Sequence, residues 1–200
     1  MKIKLSKKSL SCLVFDCETV AAGFADPHWV PNRVTCIAYS WLGEDKIYSR
    51  TRREGTKLMF SEFWEAYNKA NVVVAHNITR FDLGVINSDL LRLKAKDKSI
   101  QSLSPKYIID TIKMPKTKGF KKGLDDLAVL MDVPIEKLTL NHRQWEEAYN
   151  WDAIIEGIPV KKSDWKIVRE RCESDVLLTK LVLERMKDLE MLQPMKKWSP

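Results

Sequence analysis

Residues 13–20, LVFDCETV, indicate both the fold class and the position of a candidate site. The run begins with three apolar residues, a pattern that is typical of a buried strand. Asp16 and Glu18 follow two positions apart, and in a strand such residues project from the same face. Two carboxylates are costly to bury unless a charge of opposite sign neutralises them. The pair therefore indicates a charged ligand at the end of the strand, or a solvated turn just beyond it.

The order of the secondary-structure patterns predicts an α/β fold with a mixed sheet flanked by helices. Three strand patterns come first: the opening run, residues 34–42 (VTCIAYSWL) and residues 46–51 (KIYSRT). Helices and strands then alternate, with predicted helices at 57–70, 81–96, 123–133 and 163–192 and predicted strands at 71–77 and 107–112. A short helix and a loop are expected within residues 134–162. We expect one domain over residues 1–200, with its core at about 10–192.

Hydropathy and cysteine usage predict a cytoplasmic protein without a membrane segment. No apolar run approaches the roughly 18 residues that a transmembrane helix needs. The first 20 residues are interpreted as leading into a strand and not as a signal peptide. The four cysteines have no zinc-like spacing, and most lie in apolar runs, so we expect reduced, mostly buried thiols.

The formal net charge of +7 is compatible with a polyanionic partner, although charge alone leaves the partner open. The basic residues are concentrated in residues 113–123 (KMPKTKGFKKG), which contain five lysines and no acid. Proline and glycine make this run a predicted loop. It is either solvated surface or a phosphate-contacting loop, in which Lys118, Lys121 and Lys122 would bind nucleic acid.

Two further acids fall where they could join Asp16 and Glu18. Asp82 opens a predicted helix just after a buried strand, although such an acid can simply stabilise the helix N-terminus. Asp175 lies beside the apolar stripe of the long C-terminal helix, where an acid is disfavoured. Four converging carboxylates would repel one another, and Mg²⁺ or Mn²⁺ would resolve this. Two such ions about 3.5–4 Å apart are a known device for in-line phosphoryl displacement.

Three short motifs carry a family resemblance. FDCET (residues 15–19), HNITRFD (76–82) and RCESDV (171–176) resemble, in order, the three motifs of the DEDD-type, DnaQ-like proofreading 3′–5′ exonucleases, nearest their tyrosine subclass. The resemblance covers about residues 10–192. It implies a ribonuclease H-like fold with a five-stranded mixed sheet, and two divalent metal ions as cofactors.

The resemblance also implies roles for individual residues. Asp16 would bridge the two metals, Glu18 and Asp175 would complete the water-activating site, and Asp82 would support the second metal. The residues expected to contact the substrate strand or its terminal nucleotide are Thr19, Val20, Asn77 and Phe81.

Arg171 departs from the family pattern, which has tyrosine at this position or histidine one residue earlier, where this chain has Glu170. Arg171 precedes Asp175 by one helical turn and should reach the same site. Arginine stays protonated and cannot act as a base. Arg171 would bind the scissile phosphate, or pair with the carboxylates and weaken metal binding, or leave the water-orienting role to Tyr149 or His142.

These observations together predict a metal-dependent 3′–5′ exonuclease. It would release nucleoside 5′-monophosphates from the 3′ ends of single-stranded or frayed DNA or RNA. We expect a monomer, free-standing or beside a separate DNA polymerase, similar in style to phage replication exonucleases and acting in a bacterial or phage-infected cytoplasm. The alternative is a catalytically weakened family member that binds nucleic-acid ends or a polymerase partner without efficient cleavage.

Overall fold

The computed structural model describes residues 11–20, 33–113, 123–140 and 163–200. Most of the predicted lysine loop lies outside these residues, as does most of the segment expected to hold a short helix. The candidate residues that fall outside the described part are Lys118, Lys121, Lys122, His142 and Tyr149.

A mixed sheet of six strands forms the centre of the fold. The strands are β1 (Cys12–Val20), β2 (Arg33–Trp41), β3 (Tyr48–Thr51), β4 (Val72–Ala75), β5 (Lys106–Asp110) and β6 (Lys196–Trp198), and their order across the sheet is β3-β2-β1-β4-β5-β6. β4 pairs in parallel with β1 and with β5. The remaining neighbours are antiparallel. The carboxyl ends of β1, β4 and β5 therefore meet at one edge of the sheet.

The helices are α1 (Thr56–Lys69), α2 (Asp82–Lys96), α3 (Leu124–Leu130) and α4 (Ser163–Asp188), with a 3₁₀ turn at Arg52–Glu54. α1 and α2 cover one face of the sheet and α4 covers the other. α3 packs on the outer side of α4. This architecture agrees with the predicted ribonuclease H-like α/β fold. Among the helices of the described residues, none is both long and apolar enough to cross a membrane.

The sheet and the last helix differ from the prediction at the C-terminal end. A sixth strand, β6, joins the five expected strands, because three residues beyond position 192 pair with the edge of β5. Its sequence, KKW, is too short to show a strand period. α4 ends at Asp188 and not at residue 192, because Glu190 adopts a left-handed conformation (φ 55°) that turns the chain back toward β5.

β1 separates the two faces of the sheet by simple alternation. Leu13, Phe15 and Cys17 point into the large core beneath α1 and α2. Val14 points to the opposite core, where it packs with Cys172 and Val176 of α4. Burying each large apolar side chain contributes about 1.5–3 kcal/mol, so this alternation fixes the strand's orientation. Asp16 and Glu18 are in phase with Val14 and therefore face α4.

The cysteines are as expected from the sequence. All four are free, and Cys17, Cys36 and Cys172 are buried. Burial raises the pKa of Cys12 to about 11, and it raises the pKa of Cys17 and Cys172 well above the usual range. In Cys12, Cys17 and Cys172 burial therefore favours the protonated thiol, which is a poor nucleophile.

Candidate metal centre

Three of the predicted acids converge beside β1, just beyond the residues of this strand that pair with β4. Asp16 and Glu18 come from β1 and Asp175 comes from α4, and one carboxylate oxygen of each lies within 4.8 Å of the others. β1 alternation turns the first two toward α4, while the apolar stripe of α4 docks the helix so that Asp175 faces them. Hard carboxylate oxygens at this spacing are suitable ligands for Mg²⁺ or Mn²⁺.

The carboxylates are destabilised in their charged form. Burial raises the pKa of Asp16 well above its usual range, and nearby carboxylates, Asp82 first among them, raise it further. Burial likewise raises the pKa of Glu18 to about 7, although the Arg171 charge opposes the shift. Burial also raises the pKa of Asp175. Oδ1 of Asp175 is buried and has no hydrogen-bond partner among the described residues. The charged form of the cluster is therefore unfavourable by itself, and a bound cation would stabilise it.

Asp82 lies beside this group of three without being part of it. It is the first residue of α2, and its Oδ1 accepts a hydrogen bond from the backbone N–H of Cys17 at 3.3 Å. Its Oδ2 is buried without a partner within the described residues. Burial raises the pKa of Asp82 to about 7. Of the four acids expected to converge, three therefore have carboxylate oxygens within 4.8 Å of one another, and the fourth, Asp82, accepts a hydrogen bond from the backbone of β1.

Arg171 reaches the site, as its helical spacing predicts. Its Nε donates to Glu18 Oε1 at 2.8 Å, and an Nη lies 3.6 Å from Asp175 Oδ2. The other Nη donates to the carbonyl oxygen of Leu138 at 2.8 Å. The side chain is only 15% exposed. The guanidinium therefore bridges two of the three clustered carboxylates and ties them to the segment that follows α3.

Lys137 also contacts the cluster and was missed by the sequence analysis. Its Nζ lies 3.4 Å from Asp175 Oδ2. Lys137 belongs to an irregular segment without hydrophobic periodicity, so no local pattern marks it. Only the packing of that segment against α4 brings the lysine to Asp175.

Three of the predicted substrate residues lie at or just beyond the carboxyl ends of β1 and β4. Thr19 and Val20 end β1, directly after a register shift in its pairing with β2. Asn77 follows β4 in a left-handed conformation (φ 66°), and its backbone N–H donates to Asp110 Oδ1 at 2.8 Å. The Asn77 side-chain oxygen is buried without a partner among the described residues. Phe81 is partly buried and packs against the core beneath α1 and α2, and its contact with substrate stays a prediction.

Comparison with known proteins gives a fold relationship. No family model matches the sequence, and no curated protein matches it. Among solved structures, the chain is similar to the family B DNA polymerase from the hyperthermophilic archaeon Pyrobaculum calidifontis, with a TM-score of 0.60 and 16% sequence identity. The match covers 89% of this chain and 24% of that one, so this chain spans about a quarter of the polymerase's length. At this identity the similarity establishes a shared fold.

Proposed function

We propose that this protein is a metal-dependent 3′–5′ exonuclease acting on single-stranded or frayed nucleic acid. The observation that carries the proposal is the convergence of Asp16, Glu18 and Asp175 within 4.8 Å. The two β1 acids lie just beyond the residues of β1 that pair in parallel with β4, and ligands of open α/β sheets bind beyond the carboxyl ends of the parallel strands. The three motifs of the DEDD type and a fold shared with part of a DNA polymerase support the same conclusion.

The donor set fits a divalent cation. Asp16, Glu18 and Asp175 would hold one ion, and the unpartnered Oδ2 of Asp82 together with Asp16 would support a second. When bound there, Mg²⁺ or Mn²⁺ would supply an activated water and would stabilise charge on the scissile phosphate. Water would add to the terminal phosphorus and the P–O3′ bond would break, which releases a nucleoside 5′-monophosphate and leaves a 3′-hydroxyl on the strand.

The chain's own residues would position the strand and balance its charge. Thr19, Val20 and Asn77 would contact the substrate strand or its terminal nucleotide, as the family resemblance implies. The lysines of residues 113–123 would hold the phosphates upstream. Arg171 cannot accept a proton, so its role would be electrostatic: it neutralises Glu18 in the free protein and would turn to the scissile phosphate when substrate binds. Lys137 has the charge and position to assist it.

One observation favours a second candidate function, a nucleic-acid end-binding protein with little cleavage. The Arg171–Glu18 ion pair occupies a carboxylate that the metal needs. If the pair persists in the presence of metal and substrate, the protein would hold 3′ ends without cutting them, either alone or beside a polymerase.

A degradation assay separates the two functions. Single-stranded DNA and RNA oligonucleotides labelled at the 5′ end are incubated with Mg²⁺, Mn²⁺ or EDTA. An exonuclease gives a ladder that shortens from the 3′ end, requires metal and releases 5′-monophosphates. Asp16→Ala should abolish the ladder, whereas Asp45→Ala, which removes an exposed acid in the β2–β3 turn, should not.

Two results would count against the exonuclease. Cleavage that survives Asp16→Ala in a contaminant-free preparation would overturn the site. Undiminished oligonucleotide affinity in EDTA, with no ladder in Mn²⁺, would establish the end-binding function instead.

A further inference from the structure

The pairing of β1 with β2 is irregular at the candidate site. Glu18 pairs with Cys36 and the next residue, Thr19, pairs with Val34, so Thr35 is left without a partner on β1. This β-bulge lies between a predicted metal ligand and a predicted nucleotide contact. Bulges next to active sites re-aim side chains, because the extra residue bends and twists the strand.

The bulged residue is tied directly to Glu18. The hydroxyl of Thr35 donates to the backbone carbonyl of Glu18 at 3.0 Å, and Thr35 is only 2% exposed. This partly buried hydrogen bond holds the peptide plane that follows Glu18. The orientation of the Glu18 carboxylate therefore depends on the bulge.

Two charged side chains clamp the residue next to the bulge. The backbone N–H of Val34 donates to Asp89 Oδ2 at 3.0 Å, and Nε of Arg52 donates to the Val34 carbonyl at 2.7 Å. Arg52 and Asp89 also pair with each other. The Asp89 side chain is only 2% exposed, and Arg92 contacts its other oxygen at 3.2 Å.

The clamp extends a contact that α2 already makes with β1. Asp82 and Asp89 are seven residues apart, which is about two helical turns, so they lie on the same face of α2. Asp82 accepts the N–H of Cys17 in β1, and Asp89 accepts the N–H of Val34 in β2. One helix thus holds both strands on either side of the bulge by their backbones.

We propose that Asp89 and Arg52 are positioning residues for the metal centre. By clamping Val34 they set the bulge at Thr35, which orients Glu18 toward the metal and Thr19 toward the terminal nucleotide. This inference rests on the proposed function and adds residues that none of the three motifs contains. The alternative is that the Arg52–Asp89 ion pair only stabilises the fold. Replacing a buried ion pair by apolar residues often leaves the free energy of unfolding unchanged.

Three variants separate positioning from stability. Arg52→Lys keeps a positive charge beside Asp89 but loses the planar fork that reaches both Asp89 and the Val34 carbonyl. Thr35→Val keeps the shape of the bulged residue and removes its hydrogen bond to Glu18. The matched control is Arg92→Gln, which removes a second ion pair of Asp89 and leaves both hydrogen bonds to Val34 in place.

The measurements are the Mn²⁺ dissociation constant, the thermal unfolding midpoint, and the separate kcat and KM for a 5′-labelled oligonucleotide. Mutating residues that hold metal ligands in position typically weakens metal binding about 10- to 100-fold. We expect Arg52→Lys and Thr35→Val to weaken Mn²⁺ binding by about tenfold or more and to lower kcat, at unfolding midpoints close to that of Arg92→Gln. Arg92→Gln should stay within about twofold of wild type in Mn²⁺ affinity.

The outcomes distinguish this inference from the proposed function. Mn²⁺ affinities of Arg52→Lys and Thr35→Val within about twofold of wild type would overturn the positioning role and leave the exonuclease intact. Weakened Mn²⁺ binding in these variants, with no cleavage by the wild type, would support positioning and overturn the exonuclease. A wild type that binds no Mn²⁺ would overturn both.

Discussion

Replacing Arg171 with glutamine should increase the affinity of the site for Mn²⁺. In the metal-free protein the guanidinium donates to Glu18 at 2.8 Å and lies 3.6 Å from Asp175. Both carboxylates are predicted metal ligands, so metal must compete with Arg171 for their lone pairs. Glutamine keeps most of the length and polarity of the side chain but removes the charge.

The size of the effect follows from the contact that metal has to break. Two unit charges about 4 Å apart interact by about 4 kcal/mol at an effective dielectric constant of about 20, before the cost of removing them from water is subtracted. Net values for hydrogen bonds to charged groups are about 1.5–3 kcal/mol. Since every 1.4 kcal/mol is a factor of ten, Arg171→Gln should tighten Mn²⁺ binding by about 10- to 100-fold.

The assay is a titration with Mn²⁺ followed by calorimetry or by the paramagnetic signal of free Mn²⁺. Lys166→Gln is the matched control, since it removes one positive charge from the same helix at an exposed position paired with Glu170. It should leave the Mn²⁺ affinity within about twofold of wild type. Arg171→Lys keeps the positive charge but carries it on one nitrogen and loses the planar fork of arginine. Its Mn²⁺ affinity should lie between those of wild type and Arg171→Gln.

Unchanged or weaker Mn²⁺ binding by Arg171→Gln would refute the competition. It would mean that the guanidinium does not have to leave Glu18 when metal binds, and that Arg171 instead supports the ligand geometry. An equal gain of Mn²⁺ affinity in Lys166→Gln would show that the loss of a positive charge, and not the loss of the contact with Glu18, causes the effect.

Further predictions concern pH, the core and the basic loop. Burial raises the pKa of Glu18 from 4.5 to about 7, so between those values the folded metal-free protein binds more protons than the unfolded chain. Its unfolding midpoint in EDTA should therefore fall as pH rises from about 5 to 7.5. Glu18→Gln should reduce this slope without removing it, because burial also raises the pKa of Asp16, Asp82 and Asp175. Phe63→Ala should lower the free energy of unfolding by about 3–5 kcal/mol in urea titrations, because this buried ring packs 5.1 Å from Phe15, and a loss under 1 kcal/mol would contradict the packing. Replacing Lys118, Lys121 and Lys122 together by neutral residues should raise the oligonucleotide Kd and reduce its salt dependence. An unchanged dependence of Kd on salt would identify the loop as solvated surface.

Local periodicity explains how much of the site could be predicted. The apolar alternation of β1 places Asp16 and Glu18 on one face, and the three- and four-residue spacing of α4 places Asp175 beside its buried stripe. Both are properties of a single element and need no knowledge of its neighbours. The acids meet because the buried stripe of α4 packs on the face of β1 from which Asp16 and Glu18 project.

The remaining features depend on contacts between segments that are distant in sequence. Lys137 approaches Asp175 only because an irregular segment packs against α4. The burial of Asp82 Oδ2 and the hydrogen bond from Val34 to Asp89 both depend on where α2 lies beneath the sheet. β6 exists because the edge of β5 offers three residues a partner.

The sequence by itself determined which face of each element carries the acids, because side-chain direction is set by the backbone period of that element. Only the tertiary structure decided which cations reach those acids and how the carboxylates are aimed. Whether two residues distant in sequence form a hydrogen bond or an ion pair depends on small differences in the distance between their atoms, and packing fixes that distance. LVFDCETV therefore specifies the strand and its two carboxylates, while Arg171, Lys137 and the bulge at Thr35 determine their environment.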